Sequence, residues 1–519
     1  MSTRYYLIKY LTAIAIAISL QPSITAQTTE DSLRGSLGDI REQLTSETSE
    51  WESAVLARSL ESTTPVNAIK FSPNGQLLAS VGASQITLWK VNNGEILRVL
   101  PGHYAEDIGL EIAPTAIAFS PDSRFLATST WSQGLLRPDQ AIIVRDVTTG
   151  EVVLNLGEAF GCRQILFDVS GKLIYGACDA GITAWSFPDG KKLFSFATTS
   201  AVEAIALSPD GAVMATVDAN AAGKLPEQSN QIQLWQLDGT KPELLKTLDS
   251  DGNNIAQLEF TPSGDRGAFP EGNRLVSSSY DGKINVWDWH QGSISRKTNN
   301  LYSDEGVFSL SGTGQLIAGN FHSATMTNLA TGLPLRNTAQ LGQQKSGVMA
   351  FNPQQQLFAR VENKVDRNSL INLWSADSAQ PAKQQSLRDN YQAIPVNKYW
   401  INQAQATTPP IAESPELQIQ KPVSIGKDPQ AIAVAGLGLT EVAPSGQAVE
   451  MEQVTDNLTR VTITQTNLAD DSVAQRRYLV EFAPYGEVNA QQWQIIWAGE
   501  QFKCQSGRGH QDWNPDLCL

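Results

Sequence analysis

The chain has 519 residues, too long for one hydrophobic core, and its 41% hydrophobic and 18% charged content excludes a disordered chain. A formal net charge of −15 repels phosphate backbones, which argues against nucleic acid and anionic lipid headgroups as partners. With 39 Gly, 25 Pro and 12 Trp, the composition predicts many short strands joined by tight turns.

In chain order, residues 1–26 read as a secretory signal. Arg4 and Lys9 supply a positive start, Leu11 to Leu20 form the apolar run LTAIAIAISL, and Ile24-Thr25-Ala26 precede the expected cut. Ten such residues would span only ~15 Å as a helix, about half a bilayer core, so export is expected rather than a membrane anchor. Losing Arg4 and Lys9 with the signal leaves 36 basic against 53 acidic side chains. Residues 27–52 are a lead segment with no motif of their own.

From residue 53 to 376 one pattern recurs seven times: an apolar strand, a short polar turn, then a second apolar strand. It reads IKFSPNGQLLAS at 69–80, IAFSPDSRFLATS at 117–129, ILFDVSGKLIYGA at 165–177 and IALSPDGAVMATV at 205–217. LEFTPSGDRGAFPEGNRLVSSS follows at 258–279, FSLSGTGQLIAGN at 308–320 and MAFNPQQQLFARV at 349–361. The apolar residues before the turns, Phe71, Phe119, Phe167, Leu207, Phe260, Leu310 and Phe351, are spaced by 48, 48, 40, 53, 50 and 41 residues. A third strand ends in an aromatic in most copies: ITLWKV, ITAWSF, IQLWQL, INVWDW and INLWSA. Arg145 and Thr327 depart from this in the second and sixth copies. A fourth strand follows, as in NNGEILRVL and TTGEVVLNL.

These residues resemble WD-repeat proteins, and the resemblance implies an all-β, seven-bladed β-propeller with four strands per blade. A six-bladed propeller family with similar SPDG turns is the alternative; the recurrent Leu-Trp or Val-Trp third strand favours the WD type. To close the ring, VLARSL (55–60) has the spacing of a fourth strand for the seventh blade, whose other strands lie near 347–376. In WD repeats the His of a Gly-His pair bonds an Asp of the same blade, which would join His103 to Asp139 in a structural role.

Residues 377–427, with TTPP at 407–410, read as a linker. Residues 428–519 read as a small α+β module: DPQAIAVAGLGL as a helix, then four strand-like segments in an antiparallel sheet. Its tail, WAGEQFKCQSGRGHQDWNPDLCL, resembles a C-terminal module of exported and signalling-associated proteins of cyanobacteria, for which no activity is implied.

Four cysteines allow three pairings. In an oxidising compartment the local pairs Cys162–Cys178 and Cys504–Cys518 are the simplest, each worth ~3 kcal/mol in the chain-entropy model. A tight turn pairing Phe167 with Lys172 would set Cys162 and Cys178 nearly opposite each other. No HExxH, GxSxG or paired His-Cys array accompanies the four histidines, so no metal, cofactor or catalytic site is expected. AGLGL lacks the GxGxxG spacing and reads as a helix end.

Binding is expected on the face carrying fourth-to-first and second-to-third strand loops, where long insertions fall at 101–115, 130–140 and 218–230. Tyr104, Glu106, Asp107, Trp131, Arg137 and Asp218 are the candidates there, with a second candidate recognition loop at Arg508, His510 and Trp513. The expectation is a periplasmic or secreted, non-catalytic scaffold for a protein or peptide, without stable membrane insertion after signal removal. The alternatives are a propeller hydrolase or lactonase with an axial site, and a carbohydrate or cell-wall binder.

Overall fold

The computed structural model describes residues 50–82, 85–105, 110–112, 114–130, 142–156, 162–179, 181–196, 201–218, 231–237, 242–250, 254–262, 274–298, 307–319, 325–335, 348–363, 369–376, 387–394, 425–437, 439, 446–466, 468 and 472–518. The expected signal segment lies outside them. Among the described residues no helix is long and apolar enough to cross a membrane.

Each repeat folds for the same local reasons. In repeat 1 the Ser72 hydroxyl accepts from Leu77 N–H at 2.9 Å and donates to Asn74, while Gly75 takes the left-handed conformation that closes the turn. The turn is longer than a two-residue hairpin, so in repeat 3 Phe167 pairs with Ile174 rather than with the expected Lys172. The third strand then pairs with the second, and in six repeats the register to the fourth strand slips at the aromatic position, at Trp89, Arg145, Trp185, Trp235, Trp287 and Trp374. Such a bulge adds twist. The indoles of Trp89, Trp235 and Trp287 donate to Ser80, Thr216 and Ser277 on the second strand, so their buried N–H groups are satisfied.

The first strands pack side by side in chain order, and that of repeat 7, Met349–Phe351, meets that of repeat 1, Ala68–Phe71. Core clusters lie between consecutive repeats rather than within them. Ala204, Val217, Leu258 and Trp287, for example, share the cluster between repeats 4 and 5. Each sheet buries both faces against its neighbours, which is why all but the outermost strands read as near-continuous apolar runs.

The ring closes as its sequence implies. Val55–Ser62 pairs antiparallel with Ser369–Ser375, from Val55 opposite Ser375 to Ser62 opposite Ser369. The expectation of seven like blades is corrected, however. Six four-stranded sheets stand alone, and the strands of repeat 1 belong instead to a ten-stranded sheet completed by C-terminal strands. The physical cause is an outer edge that finds a partner: Tyr485 pairs parallel with Val99 on the fourth strand of repeat 1.

That C-terminal region is a helix, Pro429–Gly436, capped by the Asp428 carboxylate, packed on antiparallel strands Gln447–Thr455, Leu458–Thr466, Val473–Tyr485 and Gln492–Cys504. It clusters with the ring in one unit from Glu50 to Leu519. Two pieces of the stretch read as a linker are strands of this sheet, with Gln392 opposite Glu500 and Ile425 opposite Gln494. Gly486 N–H donates to Val99 O at 2.8 Å, and Val488 N–H to Thr149 O at 2.7 Å. Arg98 donates to Gly486 O at 2.9 Å and to Thr148 O at 3.0 Å. Gly150, with φ +74°, leaves room for this turn: a Cβ there would lie 2.3 Å from Gly486 O.

Arg145, the residue in place of an aromatic, is buried under the same turn. Burial lowers its pKa to about 10, with Tyr485 and Glu487 pulling it back up. A second node is Glu481, 2% exposed, which takes Arg388 at 2.6 Å and Arg460 at 2.8 Å; Arg388 also reaches Glu61 of the closing strand at 3.6 Å.

Deleting residues 53–61 is expected to abolish the cooperative thermal melt of the ring, because it opens the last repeat; a normal melt would contradict the closure. Glu481→Ala strands two arginines and is expected to cost about 2–3 kcal/mol in denaturant unfolding, below the fully buried range because both arginines can rehydrate.

Candidate partner-binding face

First strands begin, and second strands end, at one end of the ring, so the loops before the former and after the latter converge there. In repeats 3–5 this convergence builds a cluster. Arg163 follows Cys162, which the bridge to Cys178 holds at a Cα–Cα distance of 3.8 Å and whose carbonyl accepts from Ser129. Glu203 is the second residue of the first strand of repeat 4, and Tyr280 follows the second strand of repeat 5, its N–H bonded to Asn254 O. Arg163 Nη1 lies 3.0 Å from Glu203 Oε2, and the Tyr280 hydroxyl donates to Glu203 Oε1 at 3.1 Å. Tyr280 remains 46% exposed.

A part-exposed ion pair of this kind contributes on the order of 0–1 kcal/mol to stability. Its consequence is positional: Glu203 holds an arginine and an exposed tyrosine in one place across three repeats. Arg and Tyr are residue types that dominate binding energy at interfaces.

Of the residues expected from sequence, Asp218 is beside this cluster, ending the second strand of repeat 4 directly opposite Val202, the neighbour of Glu203. Tyr104 lies in a short strand opposite Glu111, but its side chain is outside the described part. Glu106, Asp107, Trp131, Arg137 and Asp139 also lie outside the described residues. His103 is fully buried with Nε2 3.0 Å from Thr128 Oγ1. The Thr128 hydroxyl also lies 3.3 Å from Ile143 O.

The tail loop is fastened to its own sheet. The Cys504–Cys518 bridge closes it with a Cα–Cα distance of 5.4 Å. The Arg477 guanidinium stands 4.0 Å from the centre of the Trp513 ring, with the Lys503 ammonium at 5.1 Å, so Trp513 packs against the strands behind it. Arg508 is exposed, and His510 is half-buried with both ring nitrogens facing carbonyls. The sheet under this loop contacts repeats 1, 2 and 7, so the tail loop and the Tyr280 cluster do not form one site.

Arg163, Glu203 and Tyr280 were not among the expected residues, because Arg163 and Tyr280 flank strands and Glu203 lies within one, outside every long insertion. Two charged positions on the inner strands were missed as well. One place before the apolar markers stand Lys70, Ala118, Leu166, Ala206, Glu259, Ser309 and Ala350, so only repeats 1 and 5 carry charge there. Burial among the inner strands raises the Glu259 pKa to about 7, against the pull of Lys70.

The fold defines the class, a β-propeller, and three stretches of it are similar to WD40 repeats. The family described as WD domain, G-beta repeat, matches residues 55–90, 94–136 and 242–288. Among curated proteins, the chain is similar to Protein ROOT INITIATION DEFECTIVE 3 of Arabidopsis thaliana, 24% identical over 246 residues, or 43% of this chain and 48% of that protein. It is also similar to Autophagy-related protein 16 of Arabidopsis thaliana, 22% identical over 225 residues, or 43% of this chain and 38% of that protein. The chain thus spans less than half the length of these curated relatives.

Because the folded pKa of Glu259 is raised, its neutral form stabilises the fold; that contribution is complete below the unfolded value near 4.5 and lost as pH rises through 7. Glu259→Gln is therefore expected to raise the melting temperature at pH 8 and leave it nearly unchanged at pH 4.5, a difference of roughly 2 kcal/mol. A pH-independent effect would show that the carboxyl is not desolvated.

Proposed function

We propose that this WD-repeat propeller is an exported, non-catalytic scaffold that binds a protein or peptide on the loop face of repeats 3–5. The observation that carries the reading is the Arg163–Glu203–Tyr280 cluster, an exposed aromatic and an arginine held by one carboxylate. WD-repeat propellers are scaffold folds, and the match to WD repeats at residues 55–90, 94–136 and 242–288 supports that use. Export is supported by the N-terminal apolar run and by two disulfides, which persist in oxidising compartments. The acidic balance supports a partner other than nucleic acid.

A second reading, chemistry at the axis, draws on Glu259 alone, whose raised pKa suits a proton-transfer group. One set of variants separates the two. With the full chain as bait on an envelope fraction, the captured partner should bind Tyr280→Ala or Arg163→Ala at least about tenfold more weakly, and Glu259→Gln as tightly as the parent. Unchanged affinity in both loop-face variants would refute binding at this face.

A further inference from the structure

The tail loop carries an arrangement that neither its disulfide nor the binding face uses. Cys504, His510 and Cys518 bring their ligand atoms within 4.8 Å of one another, the one group of three such side chains among the described residues that could hold a metal ion. We propose that reduction of the Cys504–Cys518 bridge converts this loop into a zinc(II) site with two thiolates and one imidazole, so that the loop is stapled by sulfur or by metal.

The loop is held for this independently of its sulfur–sulfur bond. Cys504 N–H donates to His510 O at 2.9 Å, which keeps the histidine beside the cysteine. Phe502 and Asn514 exchange backbone bonds at 2.9 and 3.1 Å, and Trp513 lies against Arg477. Cys504 itself ends the long last strand, opposite Val473. Breaking the bridge therefore leaves Cys504 and His510 near their places, with Cys518 two residues beyond Asp516, whose carbonyl faces His510 Nε2.

The donor chemistry selects the ion. Two thiolates and an imidazole suit zinc and other borderline or soft cations, not calcium or magnesium. His510 offers Nδ1 3.1 Å from Asp512 O and Nε2 2.8 Å from Asp516 O. If one nitrogen turns to the metal, the other keeps an N–H on a carbonyl, the usual way a ligating histidine is oriented. The fourth position of a tetrahedral ion is left to water. The electron balance is simple: a dithiol reductant delivers two electrons and two protons to the bridge and becomes a disulfide itself. Zinc then displaces the two thiol protons to solvent.

The test uses the full chain, reduced with a dithiol, freed of it anaerobically, and titrated with zinc(II) and with cobalt(II) as a spectroscopic probe. One ion per chain is expected, with thiolate-to-cobalt charge-transfer absorption, and none in the oxidised protein. Cys504→Ser/Cys518→Ser is expected to lose the ion, and His510→Ala to weaken it by about tenfold or more. Cys162→Ala/Cys178→Ala is expected to keep it; where that variant does not fold, the Cys504→Ser/Cys518→Ser result decides which pair binds. No metal on reduction, or metal retained without Cys504 and Cys518, overturns the proposal. Equal affinity in His510→Ala removes the histidine from it.

Discussion

The pairing of Val55–Ser62 with Ser369–Ser375 is the constraint on which the ring depends. Every repeat buries its apolar residues against the next repeat, so no repeat has a core of its own to fall back on. A ring of this kind is stable only if the last interface exists, and that interface needs both chain ends in one place. The closing strand supplies the outer edge of repeat 7, while Ala350, Ala359 and Leu373 of repeat 7 share a cluster with Ile69, Phe71 and Val99 of repeat 1. Arg388, just beyond the ring in sequence, then reaches Glu61 of the closing strand and Glu481 of the C-terminal sheet together.

The same arithmetic of exposed edges explains where the C-terminal strands go. The fourth strand is the outermost of each repeat and shows its residues to solvent: Val152 and Val153 in repeat 2, Leu193 in repeat 3, Leu244 and Leu245 in repeat 4 are all exposed. In repeat 1, by contrast, Ile96 and Val99 are buried, in one cluster with Ala483, Tyr485 and Ile496. An apolar edge invites pairing. Here the chain supplies the partner itself, so its C-terminal sheet and first repeat become one structure.

The repeat was legible because its physics is local. A polar turn with a residue at positive φ, an alternating strand and an aromatic bulge recur, and each can be read without knowing what lies across the ring. The closing strand was legible too, since a four-stranded period leaves a gap that VLARSL fills. The merged sheet was not. Nothing in YLVEFAPYGEV says that Tyr485 will meet Val99, some 390 residues earlier, and the meeting depends on Gly150 leaving space and on Arg98 bridging two carbonyls. The Tyr280 cluster was hidden for a similar reason: its three members come from three repeats, and none lies in a long insertion. His510 beside two cysteines was not legible either, since its nearness depends on a loop whose backbone pairs with Phe502 and Cys504.

Arg145 shows how one departure from a repeat carries long-range information. In repeats 1, 4 and 5 the residue at this point of the third strand is a tryptophan whose indole reaches a Ser or Thr on the second strand. An arginine there would be costly on an ordinary blade, since burial penalises a charge that water no longer solvates. In repeat 2 that burial lowers its pKa, and the two groups that oppose the shift, Tyr485 and Glu487, both belong to the C-terminal turn. The charge is therefore tolerable only where that turn docks, next to Gly150 and Arg98. A break in the aromatic pattern, read alone, looks like decay of the repeat. Set beside the docked turn, it is the position at which the ring is adapted to its own C-terminal chain.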